Sequence, residues 1–195
     1  MVAATNLLDQ AMGAVLLPVW AKHTGGGPRA IGAVAAALAG TAVVGSLFAA
    51  WRGNRLPRRL TFTISYLLGG CPRYFALALG LPLWAVLCVY LVGGFGIGTI
   101  NPIIAAVEVQ RVPAPLRGRV FALTGALSWV GIPFGGLIGG GVAEAAGLKV
   151  ALVGCGVAYL GATLLPALRP EWRDMDGGYE TAGARAEPSG KGLAA

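Results

Sequence analysis

Polar positions in this chain are few and bunched, and the stretches between them are long enough to cross a bilayer. Ile31 to Trp51 holds no charged residue. Val120 to Ala143 is likewise uncharged, and after Glu144 and Lys149 a further apolar run extends from Val150 to Leu168. A spanning helix needs about 20 predominantly apolar residues for a hydrocarbon core of roughly 30 Å. Tyr74 to Val107 is uncharged over more than one crossing, and Gly80-Leu81-Pro82 supplies a tight turn within it. Two weaker spans complete the pattern: Thr61 to Leu79, interrupted by Pro72-Arg73, and Ala3 to Ala21, which carries Asn6, Asp9 and Pro18. The pattern predicts six helices, at about 3–22, 29–51, 60–80, 83–107, 120–143 and 149–168. The fold class is therefore all-α, a polytopic membrane bundle occupying residues 1–168.

Composition supports that picture. Charged residues make up 12% of the chain and hydrophobic ones 56%, against roughly a quarter charged in soluble domains. Glycine, at 32 residues, suits close helix packing in lipid, where no hydrophobic drive acts between helices. The formal net charge of +7 raises nucleic acid as a partner, but the charge distribution argues against it. The basic residues sit in short connectors, Arg52, Arg55, Arg58 and Arg59, then Arg111, Arg117 and Arg119, with no stacking surface or recognition motif beside them. Lys22, Arg29 and Lys149 alone occupy the opposite connectors. The positive-inside bias then puts both termini in the cytoplasm, with the bilayer as the first partner.

Cys71, Cys88 and Cys155 form no close pair and lie in apolar segments, so neither a disulfide framework nor a metal site is expected. No basic region precedes the first apolar stretch, so a signal peptide is not expected either. Residues 169–195 are mixed in charge without an apolar period, which predicts a solvated, disordered cytoplasmic tail.

Particular motifs add a family. Arg55-Leu56-Pro57-Arg58-Arg59 resembles the end of the loop signature of the major facilitator superfamily, Gly-x-x-x-Asp-Arg-x-Gly-Arg-Arg, with Asn54 at the Asp position and Pro57 at the second Gly. Val112-Pro113-Ala114-Pro115-Leu116-Arg117-Gly118-Arg119-Val120 resembles the link before the eleventh helix of drug-exporter-like members. Gly131-Ile132-Pro133-Phe134-Gly135-Gly136 and Gly139-Gly140-Gly141 resemble the Gly-Pro-rich helix that follows. Asn101-Pro102 and Arg173-Asp174-Met175-Asp176 are in the style of bacterial members. The resemblance covers about residues 3–176. It implies the seventh to twelfth helices of a twelve-helix carrier, built as two inverted three-helix units. The start at Met1 then suggests a truncated or partial product. The partners implied are a missing N-terminal half or a second copy, and a small-molecule substrate, in the plasma membrane.

In the family the first helix of each unit lines the cavity. The polar residues on those helices here are Asn6, Asp9, Gln10, Thr99 and Asn101, the candidates for a substrate or proton pathway. A carboxylate in a membrane helix is costly and usually faces water, a partner or a cation, so Asp9 is either a coupling residue or a wet helix end. Arg73 lies on a helix that the resemblance makes peripheral, where structural pairing or snorkelling to the interface is expected. Arg55, Arg58, Arg59, Arg117 and Arg119 fall in the cytoplasmic loops to which the resemblance gives gating. Pro18, Pro72, Pro102 and Pro133 each allow a kink.

Transport of this type needs no cofactor and no covalent catalyst. Gly94-Phe95-Gly96-Ile97-Gly98 lacks the strand and acid of a dinucleotide loop, and the chain contains no phosphate-binding loop, His-Glu-x-x-His or Gly-x-Ser-x-Gly motif. The expected function is proton-coupled export of small organic molecules by alternating access. The alternative is a non-transporting six-helix scaffold or partner subunit.

Overall fold

In the computed structural model residues 1–52 and 58–168 are described, apart from the side chains at 58, 59, 107, 110, 111 and 165–168. Helix dominates them, in six rods. The first is α1 (Val2–Ala11), a single π turn (Met12–Leu16) and α2 (Leu17–His23); the second is α3 (Gly27–Arg52). The third is divided into α4 (Arg58–Gly69) and α5 (Cys71–Ala78), and the fourth is α6 (Leu83–Arg111). A 3₁₀ turn (Ala114–Leu116) leads into the fifth rod, α7 (Arg117–Trp129) and α8 (Ile132–Ala146), and α9 (Leu148–Leu168) is the sixth. The expected tail at 169–195 and Arg55 lie outside the described residues, as do the side chains of Arg58 and Arg59.

By length and composition Val2–His23, Gly27–Arg52, Leu83–Ala106 and Ala114–Ala146 are able to cross a bilayer. Leu148–Leu164 is equally apolar but shorter within the described range. The third rod fails as one continuous helix because Gly70, with φ −100° and ψ −95°, interrupts it. A side chain at Gly70 would collide with the Tyr159 ring, so the break and its glycine are matched to α9.

Prolines mark the breaks more than they bend helices. Pro72 and Pro133 occupy the first turn of a segment, in α5 and α8, where a missing N–H costs little, whereas Pro18 stands inside the continuous first rod. Pro18 also crowds the carbonyl one turn earlier, which accounts for the turn before it opening to π geometry. Pro102 lies deep inside a helix, α6. The expected fifth helix, 120–143, is therefore two segments joined at Val130–Gly131. The turn at Gly80 stands as expected, with φ +65°, a conformation glycine adopts without strain.

Helix pairing follows a two-fold scheme. The first rod packs on the fifth, the second on the fourth, and the third on the sixth. Exchanging first with fourth, second with fifth and third with sixth converts one of these pairings into another and leaves the last unchanged. The α4–α6 contact likewise maps onto α1–α9. This is the arrangement of two related three-helix units.

Backbones approach closely along these pairs. A Cβ at Gly94 or Gly98 would strike the α3 backbone at Leu38 and Ala42, and one at Gly45 would strike the Phe95 carbonyl. Ser46 Oγ donates to the Gly98 carbonyl at 2.8 Å across the same seam. The glycine row of the fifth rod serves α1 in the same way, Gly131 against Ala3 and Leu7, Gly135 against Leu7 and Gln10, and Gly139 against Ala11. Large apolar side chains such as Leu47, Trp51, Trp84 and Leu137 face outward, as a lipid-facing surface requires.

Candidate functional site

Two polar features interrupt this apolar bundle. The first is a cavity of about 350 Å³ between the first, fourth and fifth rods, with Tyr66 of α4 at its edge. Asn6 of α1 and Asn101 of α6 both line it. Asn6 Nδ2 donates to the Ser128 carbonyl at 2.9 Å, one of the terminal carbonyls that the end of α7 leaves without a helical partner. Glu108 faces the same space, and Thr124 Oγ1 donates to its Oε1 at 2.9 Å. Asn101, Ile104 and Glu108 are spaced three and four residues apart, as are Phe121, Thr124 or Gly125, and Ser128, so each helix offers one continuous face. The wall thus combines amides, hydroxyls and one carboxylate with the aromatic surfaces of Tyr66, Phe121 and Trp129. Such a mixture orients an organic molecule by a few polar contacts against apolar surface.

The second feature is an ion pair. Arg73 Nη2 donates to Asp9 Oδ1 at 2.7 Å, joining α5 to α1. Arg73 is deeply buried, its side chain 5% exposed, whereas that of Asp9 retains 35%. The arginine stem passes over Gly93 of α6, and its guanidinium carbon lies 5.8 Å from the centre of the Tyr90 ring. Burial of the charge is tolerable because the carboxylate and the π face compensate it.

A family model for the Major Facilitator Superfamily matches residues 1–188. The chain belongs to the major facilitator superfamily. It is similar to the multidrug efflux pump Tap of Mycobacterium tuberculosis strain H37Rv, with 33% identity over 150 residues, 76% of this chain and 35% of that protein. The pump of the same name from Mycolicibacterium fortuitum is 31% identical over 150 residues, covering 76% of this chain and 36% of the relative. The chain spans about a third of the length of the curated relatives it matches. Its family is one of transporters, not enzymes.

Within this facilitator chain the five polar candidates separate. Asn6 and Asn101 meet at the cavity. Asp9 is engaged with Arg73 and does not line it. Thr99 is buried, 2.6 Å from Ser65 Oγ and donating to the Gly96 carbonyl at 2.7 Å, so it joins α4 to α6 and does not line this cavity. Gln10 is half-buried beside Gly135. Of the two alternatives for Arg73, structural pairing holds and snorkelling is corrected: its side chain turns inward to Asp9, on a rod that packs between α6 and α9.

Among the loop arginines, Arg117 reaches back to the end of α6, its Nε 3.1 Å from the Val112 carbonyl and its Nη2 3.0 Å from that of Val109. It thereby caps carbonyls that the helix end leaves open. Arg119 is exposed. Glu108, Thr124 and Ser128 were not among the expected site residues. Ending the fourth span at 107 excluded Glu108 by one position, although its spacing of seven from Asn101 marks the shared face.

Proposed function

We propose that this chain forms one wall of a secondary active exporter, moving small organic molecules across the plasma membrane by alternating access with proton coupling, as an antiporter. The carrying observation is the cavity in which Asn6 and Asn101, on the first and fourth rods, face one space with Glu108 and Thr124. Those two rods are the ones the family resemblance assigns to the substrate path. The similarity to proteins named multidrug efflux pumps supports export of organic compounds. A single wall encloses no substrate, so the working carrier includes a second half or a second copy. The positive-inside bias supports cytoplasmic termini, and Asp9 is the membrane carboxylate we assign to coupling.

The test is drug uptake into inside-out vesicles energised with a proton gradient, using a complete carrier that contains this chain. Replacing Asn6 or Asn101 by Leu removes the polar contacts while keeping bulk. Each substitution is expected to lower the initial rate by about tenfold, equivalent to about 1.4 kcal/mol of transition-state stabilisation, at unchanged membrane abundance. Wild-type rates in both variants refute the assignment.

A further inference from the structure

Hydrogen bonding along the cavity wall is lopsided. Asn6 turns its Nδ2 to the Ser128 carbonyl at 2.9 Å, which leaves its amide oxygen as an acceptor. Thr124 has one hydroxyl proton and three acceptors for it: Glu108 Oε1 at 2.9 Å, and the Val120 and Phe121 carbonyls of its own helix at 3.0 and 3.2 Å. Asn101 can donate or accept. The Glu108 carboxylate, able to accept about four hydrogen bonds, receives this one alone among the described residues. Charge runs in the same direction. No Lys, Arg or His lines the cavity, and Asp9–Arg73 is the one ion pair among the described residues. Arg117 begins the helix that carries Thr124, but it directs its guanidinium to the Val109 and Val112 carbonyls.

We propose that this cavity selects organic cations, with Glu108 as the charge-recognising residue and Thr124 as the residue that positions its carboxylate. The proposal rests on the export reading for the site's role as a substrate path, and adds the class of molecule the site takes. A cation there gains the unused acceptor positions of the carboxylate and the faces of Tyr66 and Phe121, which attract positive charge. An anion meets a like charge and acceptor oxygens, with no basic side chain to offset them. A neutral molecule of the same shape keeps the apolar contacts alone. The volume of about 350 Å³ is at the small end for ligand sites, and one carboxylate matches one positive charge, so the ligand is compact and singly charged. Asp9 pairs with Arg73 away from this wall, so recognition and coupling fall on different carboxylates.

Equilibrium dye binding to the purified complete carrier that contains this chain tests the assignment. The probes are the fluorescent cation dimethylaminostyryl-N-methylpyridinium and its parent dimethylaminostyrylpyridine, uncharged in alkaline buffer, which differ by one methyl group and one charge. Fluorescence anisotropy should show the cation bound about tenfold more tightly, the order that one charge-assisted contact supplies. Glu108→Gln keeps the shape and an oxygen for Thr124 but removes the charge. It should weaken the cation by about the same factor and the neutral dye far less, while Glu108→Asp should keep the preference for the cation. Equal affinity of the two dyes for the unmodified carrier overturns the proposal, and that comparison needs no variant to fold. An unchanged preference in Glu108→Gln also overturns it. So does an equal loss of both dyes, the result expected if Glu108 pairs with the carrier's other half. Binding is read without a gradient. A carrier that prefers the cation through Glu108 yet drives no uptake refutes export and not the site; one that exports while ignoring charge refutes the site and not export.

Discussion

Arg73 and Asp9 show how one contact changes the consequences of both residues. Had Asp9 simply met water, neutralising it would have cost nothing in folding. Paired as it is at 2.7 Å, Asp9→Asn leaves a buried guanidinium without its counter-charge, and Arg73→Ala frees a carboxylate in the bundle. Breaking one side of a buried pair typically costs about 3–5 kcal/mol, whereas neutral replacement of both is tolerated far better. We therefore expect each single variant to reduce the monodisperse folded fraction sharply and Asp9→Asn/Arg73→Gln to restore most of it. Fluorescence-detected size-exclusion chromatography measures this. Equal yields for the single and double variants would show that the pair does not carry folding energy. The sequence exposed the cost of each charge but not their meeting, because 64 positions separate them and only the packing of α5 against α9 and α6 brings Arg73 inward. It also hid Thr99, whose hydroxyl looks available on α6 but is consumed by Ser65 and Gly96.

At the level of helices, the seams depend on glycines set four apart. Gly94 and Gly98 place the α6 backbone against α3, and adding even a methyl group there collides with main-chain atoms that cannot rotate away. Gly94→Ala and Gly98→Ala should each destabilise by about 1–3 kcal/mol, the usual range for overpacking. Gly40→Ala provides the contrast, because Gly40 lies in the same α3 helix with nothing within 4 Å of a new Cβ. It should be neutral or slightly stabilising, by up to about 1 kcal/mol from the helix preference for alanine. Thermal unfolding followed by cysteine-reactive dye separates these outcomes, and similar melting temperatures for all three would contradict the seam. The fifth rod's glycine row was legible in the sequence as a close-approach surface, since Gly131, Gly135 and Gly139 recur at one helical face. Its break at Val130–Gly131 was marked only by the kink that Pro133 allows, because the apolar run continues unbroken through it and hydropathy is blind to backbone direction. The break at Gly70 was likewise signalled only by Pro72; what fixes its exact position is the Tyr159 ring, on the sixth rod.

For the whole molecule, six rods and their basic connectors lead to a definite sidedness. Cysteines placed at Ala114 should react with a membrane-impermeant reagent only from the cytoplasmic face, and those at Gly25 and Ala146 only from outside. Labelling of Gly25 and Ala114 from one side would contradict the topology. The all-α membrane class was legible because uncharged runs, turn glycines and loop arginines are local signals, whereas the first and fourth rods were pointed to by the family resemblance alone. The cavity's third wall was not legible, since α7 contributes Thr124 and Ser128 through a pairing of α1 with the fifth rod that no local pattern encodes. The central claim is that Asn6 and Asn101 face a transported molecule, and substrate protection tests it most directly. In a complete carrier whose Cys71, Cys88 and Cys155 have been replaced by Ala, a cysteine at Asn101 should be alkylated readily, and a transported drug should slow that reaction in proportion to its occupancy. A cysteine at the outward-facing Leu137 should be unaffected by the same drug. Equal alkylation at Asn101 with and without a drug that the carrier demonstrably moves would contradict the account.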